Sequence, residues 1–161
     1  MIGYNYFDGD GYDYVIDGRG VVSRVIQTNK IGTERNRLTK SIVIAIRELM
    51  KQSSPDGLTR DLAAYIALAL IAVSDTIDTT VSAWEKRDYW VKADRFRLEW
   101  EWSARLGEEM QAAVLGENWP KVASLSVAVA EKLKSVKVSP RHRLGEPWVG
   151  AWEELSRQKN N

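Results

Sequence analysis

The sequence has no cysteine, one histidine, four prolines and a formal net charge of only +1. Without cysteine there is no disulfide staple, no thiolate nucleophile and no thiolate zinc site. A lone histidine cannot furnish a di-iron bundle centre, which takes histidine with glutamate on facing helices. It also leaves little for Ser-His or Cys-His catalysis. That residue, His142, lies in Ser139-Pro140-Arg141-His142-Arg143, a basic, loop-like stretch where it reads as an ordinary solvated side chain.

Near-balanced charge offers no bulk attraction to nucleic acid or to an anionic membrane, and neither is expected as a partner. The longest apolar run, Leu62 to Val73, has 12 residues, short of the roughly 20 that a membrane span needs. No basic stretch followed by an apolar signal core opens the sequence, so the expected location is the cytoplasm. P-loop, dinucleotide-glycine, nucleophile-elbow and zinc signatures are all missing. No catalytic residue and no cofactor are assigned on these grounds, with Mg²⁺ and Ca²⁺ the ions weighed below.

What is present suits one domain over residues 1–161, with 44% hydrophobic and 28% charged residues. Residues 1–28 differ from the rest. Tyr12, Tyr14 and Ile16 alternate with Asp13, Val15 and Asp17; Asp17-Gly18 then precedes Val21, Val22, Val25 and Ile26. This is the pattern of a β-hairpin. Residues 29–135 read as a helical bundle, and residues 136–161 as a basic loop with a short terminal helix. The fold class expected is mainly α: an antiparallel four-helix bundle with a short N-terminal β-hairpin and a C-terminal helix.

The first helix is expected from about Thr33 to Gln52, since Leu38, Ile42, Ile46 and Leu49 recur on one face. Ser53-Ser54-Pro55-Asp56-Gly57 breaks it. Thr59 is then a plausible N-cap, with Asp61 in the first turn. Leu58 to Leu106 contains no glycine or proline. That length suits two helices parted at the polar Glu85–Asp88, with one unbroken helix as the alternative. The next helix ends near Gly116, and Asn118-Trp119-Pro120 opens another, with Val122, Ser126, Val129 and Leu133 inward. Pro147 to Gln158 form the last.

Two helices carry more apolar surface than a lone bundle hides. Leu62 to Val73 is apolar all round, as in a central helix. At about 100° per residue, Trp84, Val91, Leu98 and Trp102 share one face of the next helix, and Tyr89, Phe96, Trp100 and Val114 lie nearly opposite. Terminal segments of the same chain or a second copy could cover the surplus. Tyr89, Phe96 and Trp100 are candidate ligand or interface aromatics. A homodimer with these two helices near its two-fold axis, or a complex with another protein, is the partnership expected.

Three constellations bear on chemistry. Asp75, Asp78, Glu85 and Asp88 form a carboxylate stripe; Asp75 and Asp78 are helix-surface neighbours that together would welcome Mg²⁺. Glu108 and Glu109 are the nearest candidates for a facing pair. A solvated or salt-bridged face explains the same residues. In Tyr6–Asp17, Asp8, Asp10, Gly11 and Asp17 fall in calcium-loop register, but Tyr6 stands where the first aspartate belongs and an acidic hairpin turn suffices. From Trp84 to Trp102, cations interleave with aromatics, as in single-strand binders, but nearby acids cancel them. The first helix is the better basic face, with Lys30, Arg35, Arg37, Lys40, Arg47 and Lys51 against Glu34 and Glu48, though it has few aromatics; nucleic-acid contact there is a third, weaker expectation that no motif supports. The function expected is a non-catalytic, oligomeric interaction or assembly protein. The alternative is a Mg-dependent phosphohydrolase or small-molecule-binding bundle using Asp75, Asp78 and Glu85.

Overall fold

The fold was obtained as a computed structural model that describes residues 30–161 and the first turn of the helix leading into them. The hairpin expected in residues 1–28 and the acidic loop with Asp8, Asp10 and Asp17 lie outside the described residues. Among the described residues the chain is mainly α, with five helices: α1 (Ile26–Leu49), α2 (Gly57–Glu85), α3 (Trp90–Leu115), α4 (Trp119–Lys132) and α5 (Ala151–Lys159).

α1 begins seven residues earlier than its apolar stripe suggests. Gly32, which invites a boundary at Thr33, lies inside the helix. An interior glycine costs only about 1 kcal/mol against alanine, too little to stop a helix whose later turns are packed. Leu38, Ile42, Ala45 and Ile46 form the buried stripe, with Leu49 half-buried. Ser41 is fully buried beside them and donates its hydroxyl to the Arg37 carbonyl at 2.9 Å, so no polar group is stranded.

The N-cap of α2 is Asp56, not Thr59. The Asp56 carboxylate accepts from the Thr59 backbone N–H at 2.9 Å, while Thr59 turns its hydroxyl to the Ser54 carbonyl at 2.6 Å. An aspartate in extended backbone just before the first turn is a strong cap. Asp61, expected to favour its own helix N-terminus, reaches instead to α5.

α2 is the central helix, packed against α1, α3 and α5. Leu62, Ile66, Leu70 and Val73 are fully buried, with Ala63, Ala64, Ala67 and Ala69 between them. Most of the apolar run is therefore covered within one chain, with Tyr65, Leu68, Ile71 and Ala72 half-buried. As a whole, α2 is long and apolar enough to cross a membrane by length and composition, although the 12-residue run alone is not; half of its apolar window is buried inside this fold. Small residues let α3 come close. A Cβ added to Gly107 would stand 2.9 Å from Ile71 Cδ1 and 3.1 Å from Leu70 Cβ.

The break between α2 and α3 falls at residues 86–89, where Asp88 adopts a positive φ of 62°. Gly116 caps α3. Asn118 caps α4, accepting from the Lys121 N–H at 3.2 Å, with Pro120 in the first turn. Val122, Ser126, Val129 and Leu133 all point inward. α4 packs on α3 and touches α1, closing that side of the core.

α5 starts at Ala151, four residues after the expected Pro147, and Trp148 is buried in the turn before it. Its N-cap, Gly150, has a φ of 82° and no side chain to cap with. α2 supplies the cap: Asp61 accepts from the Gly150 N–H at 3.3 Å and the Trp152 N–H at 2.9 Å. Beside it, Arg60 pairs with Glu117 and lies 5.7 Å from the Trp152 ring. α5 is thus held to α2 by polar groups as well as by Leu155, which is fully buried.

Candidate functional site

At the far end of the α2–α3 pair lies a small second core of Ile77, Val81 and Ala93, against which Trp84, Phe96 and Trp100 pack. The Trp84 and Phe96 ring centres are 5.1 Å apart and the planes are tilted by 59°, within the range of favourable aromatic pairs. Arg35 of α1 spans this region. Its Nε donates to Thr76 Oγ1 at 3.0 Å, its Nη2 to the Thr76 carbonyl at 3.1 Å and to Thr80 Oγ1 at 2.7 Å. Its guanidinium lies 4.8 Å from the Phe96 ring centre. Burial pushes the Arg35 pKa down from its ordinary value. The neutral oxygens and the ring face offset that desolvation without a carboxylate.

These contacts sort the two aromatic faces of α3. The face carrying Phe96, Trp100 and Val114 turns towards α2 and is part of the core. Two members expected on the opposite face do not belong to its surface. Trp84 sits on α2 and packs inward, and Trp102 is only 7% exposed. What remains outside is Val91, 74% exposed, and Leu98, 69% exposed, two turns apart, with Trp90 at 55% beside them. Tyr89 stands at the start of α3 and is exposed as well. Arg95 lies between Val91 and Leu98 and joins no carboxylate among the described residues. Its neighbour Asp94 bonds Arg97 at 2.7 Å.

The carboxylate stripe is spread out. Asp75 is exposed and lines a cleft of about 340 Å³ between α2, α3 and α5, together with Gln111, Glu154 and Gln158. Asp78, one turn on, is exposed and does not line that cleft. Glu85 is engaged by Arg97. Asp88 occupies the turn, exposed. Glu108 is exposed, and Glu109 stands 3.4 Å from both Arg105 and Lys121. Among the described residues no three His, Asp or Glu side chains gather closely enough to hold a metal ion.

A third region lies along α1. Two clefts adjoin along α1 and share Arg47 and Met50. The first, about 510 Å³, runs between α1 and the 138–142 loop and is also lined by Lys51, Ser139 and His142. The second, about 210 Å³, lies between α1 and the end of α4 and includes Lys134. His142 is exposed, its backbone N–H bonded to the Ser139 carbonyl at 3.1 Å. The sequence shows a basic face on α1 and a basic loop 90 residues later. Nothing local in it announces that they meet.

No protein-family model, no curated protein and no solved structure matches this chain.

Proposed function

We propose that this chain is a non-catalytic assembly protein, an antiparallel four-helix frame with an N-terminal hairpin, that pairs with a second copy through the outer face of α3. One observation carries the reading: Val91 and Leu98 are left open on a helix whose inner face is already packed. Apolar side chains placed two turns apart on one exposed stripe are what helix pairing uses. A two-fold axis level with the Asp94–Arg95 peptide sets Val91 against the partner's Leu98. The same axis sets Arg95, which joins no carboxylate among the described residues, against the partner's Asp94. Self-complementarity of this kind is what an isologous interface requires. α2 stands outside this interface, because most of the apolar run from Leu62 to Val73 is already covered.

One helix face per copy buries less than the ~1,200 Å² of a standard interface, so association in the micromolar range is expected. Sedimentation velocity from low micromolar to several hundred micromolar tests it. A shift towards dimer, abolished by Leu98→Glu and by Val91→Lys with unchanged helix content, is the expected result. A monomer at every concentration ends the self-association reading.

The second reading, Mg²⁺-dependent phosphohydrolysis or small-molecule binding, has the Asp75–Glu154 cleft in its favour. A thermal upshift with Mg²⁺ that vanishes in Asp75→Asn would support it, and no response to Mg²⁺ with nucleotides would remove it.

A further inference from the structure

The charges of this chain nearly cancel in total but not in place. From Lys132 to Gly145 the sequence holds Lys132, Lys134, Lys137, Arg141 and Arg143, with His142 and no acid at all. The fold lays Lys134, Val136, Val138, Ser139, Pro140 and His142 of this stretch along two clefts beside α1, and Arg47 lines both; Glu48 also lines the larger one, while Lys137, Arg141 and Arg143 are chain neighbours of the lining residues. Lys51 and Lys134 are each held by a nearby acid, Glu48 and Glu131, at 2.7 Å. Lys40, Arg47, Lys137, Arg141 and Arg143 are exposed and join no carboxylate among the described residues. Lys40 and Arg47 lie two turns apart on one face of α1, roughly 10 Å along its axis.

We infer that this face binds the phosphate backbone of a double-stranded nucleic acid, without reading its sequence. Several separated cations lacking acid partners suit a regularly charged polymer better than a single small anion. Their attraction acts locally, so a net charge of +1 does not weaken it: screening limits each charge to about 8–10 Å at ordinary salt. Arginine adds the planar fork that matches phosphate oxygens. No Phe, Tyr or Trp lines either cleft. Base stacking, on which single-strand binders depend, therefore has no platform here. The site shares no residue with the α3 face and stands whether or not the chain pairs through α3.

Fluorescence anisotropy of a labelled short DNA duplex with the full chain tests the inference across a salt series. Binding at low salt is expected, with log K falling linearly against log salt. Arg47→Glu, and the double change Arg141→Glu with Arg143→Glu, should each weaken it by about tenfold or more for unrelated sequences alike. The salt slope should drop by about one per phosphate contact removed. Arg105→Glu on α3 should leave binding unchanged, and circular dichroism should show every variant folded. No anisotropy change at low salt, or equal loss in Arg105→Glu, overturns the site. Equal competition by poly-glutamate at matched charge overturns the preference for phosphate. Tighter binding of a single strand overturns the duplex.

Discussion

Removing the Asp61 carboxylate tests how α5 is held. The helix has only nine residues, too few to persist alone in water. Its own N-cap, Gly150, supplies no side-chain acceptor, so Asp61 of α2 satisfies the Gly150 and Trp152 N–H groups across 89 and 91 residues of sequence. A cap of this kind contributes about 0.5–2 kcal/mol, and a carboxylate at a helix N-terminus about 0.3–1 kcal/mol. Since these overlap, Asp61→Ala should cost about 1–2 kcal/mol, and Asp61→Asn, which keeps an acceptor, about half of that. In a chain of this size each kcal/mol lowers the thermal midpoint by roughly 2–4 °C. The loss should be local before it is global. Tryptic cleavage at Arg141 and Arg143, just before the docked Trp148 and α5, should accelerate in Asp61→Ala under native conditions. Denaturation followed by circular dichroism and tryptophan fluorescence gives the free energy, and timed proteolysis gives the local opening. An Ala variant with an unchanged midpoint and unchanged cleavage would refute the capping role; an Asn variant as damaged as Ala would place its origin in the charge.

Gly107→Ala sets steric overlap with Ile71 and Leu70 against a gain in helix propensity. Overpacking of about 1–3 kcal/mol exceeds the roughly 1 kcal/mol gained, so urea denaturation should show a net loss, reduced when Ile71→Val removes the nearest methyl. Asp56 contributes to the acid limb of stability. Its bond from the Thr59 N–H holds the folded carboxyl below the ordinary value of 3.8, so its contribution is present above that pH and is lost as pH falls through the folded value. Asp56→Asn, which still caps, should flatten the fall of the urea midpoint on acidification; an acid limb identical to that of the parent chain would count against it.

Local rules made much of this fold legible. The Asn118-Trp119-Pro120 start of α4, the Gly116 stop of α3 and the polar break after Glu85 are decided within a turn or two of chain, by caps and backbone preferences. The inward stripe of α4, from Val122 to Leu133, follows from the helical period alone. The Asp56 cap was missed because Thr59 competes for the same role within three residues. The candidate surface was legible only in part: surplus apolar area on α3 could be counted, but not which side of it faced inward. That depended on α2 presenting Ile77 and Val81 to Phe96 and Trp100, and on Arg35 arriving from α1. Tertiary structure likewise decided that α5 packs on α2, that Asp75 shares a cleft with Glu154 and not with Asp78 of its own stripe, and that the basic loop folds against Arg47. The physical reason is range. Hydrogen bonds and side-chain packing within a helix act over three or four residues, so sequence order encodes them directly. Which two surfaces exclude water from each other is settled by the whole chain's burial at once, between residues that sequence order leaves far apart.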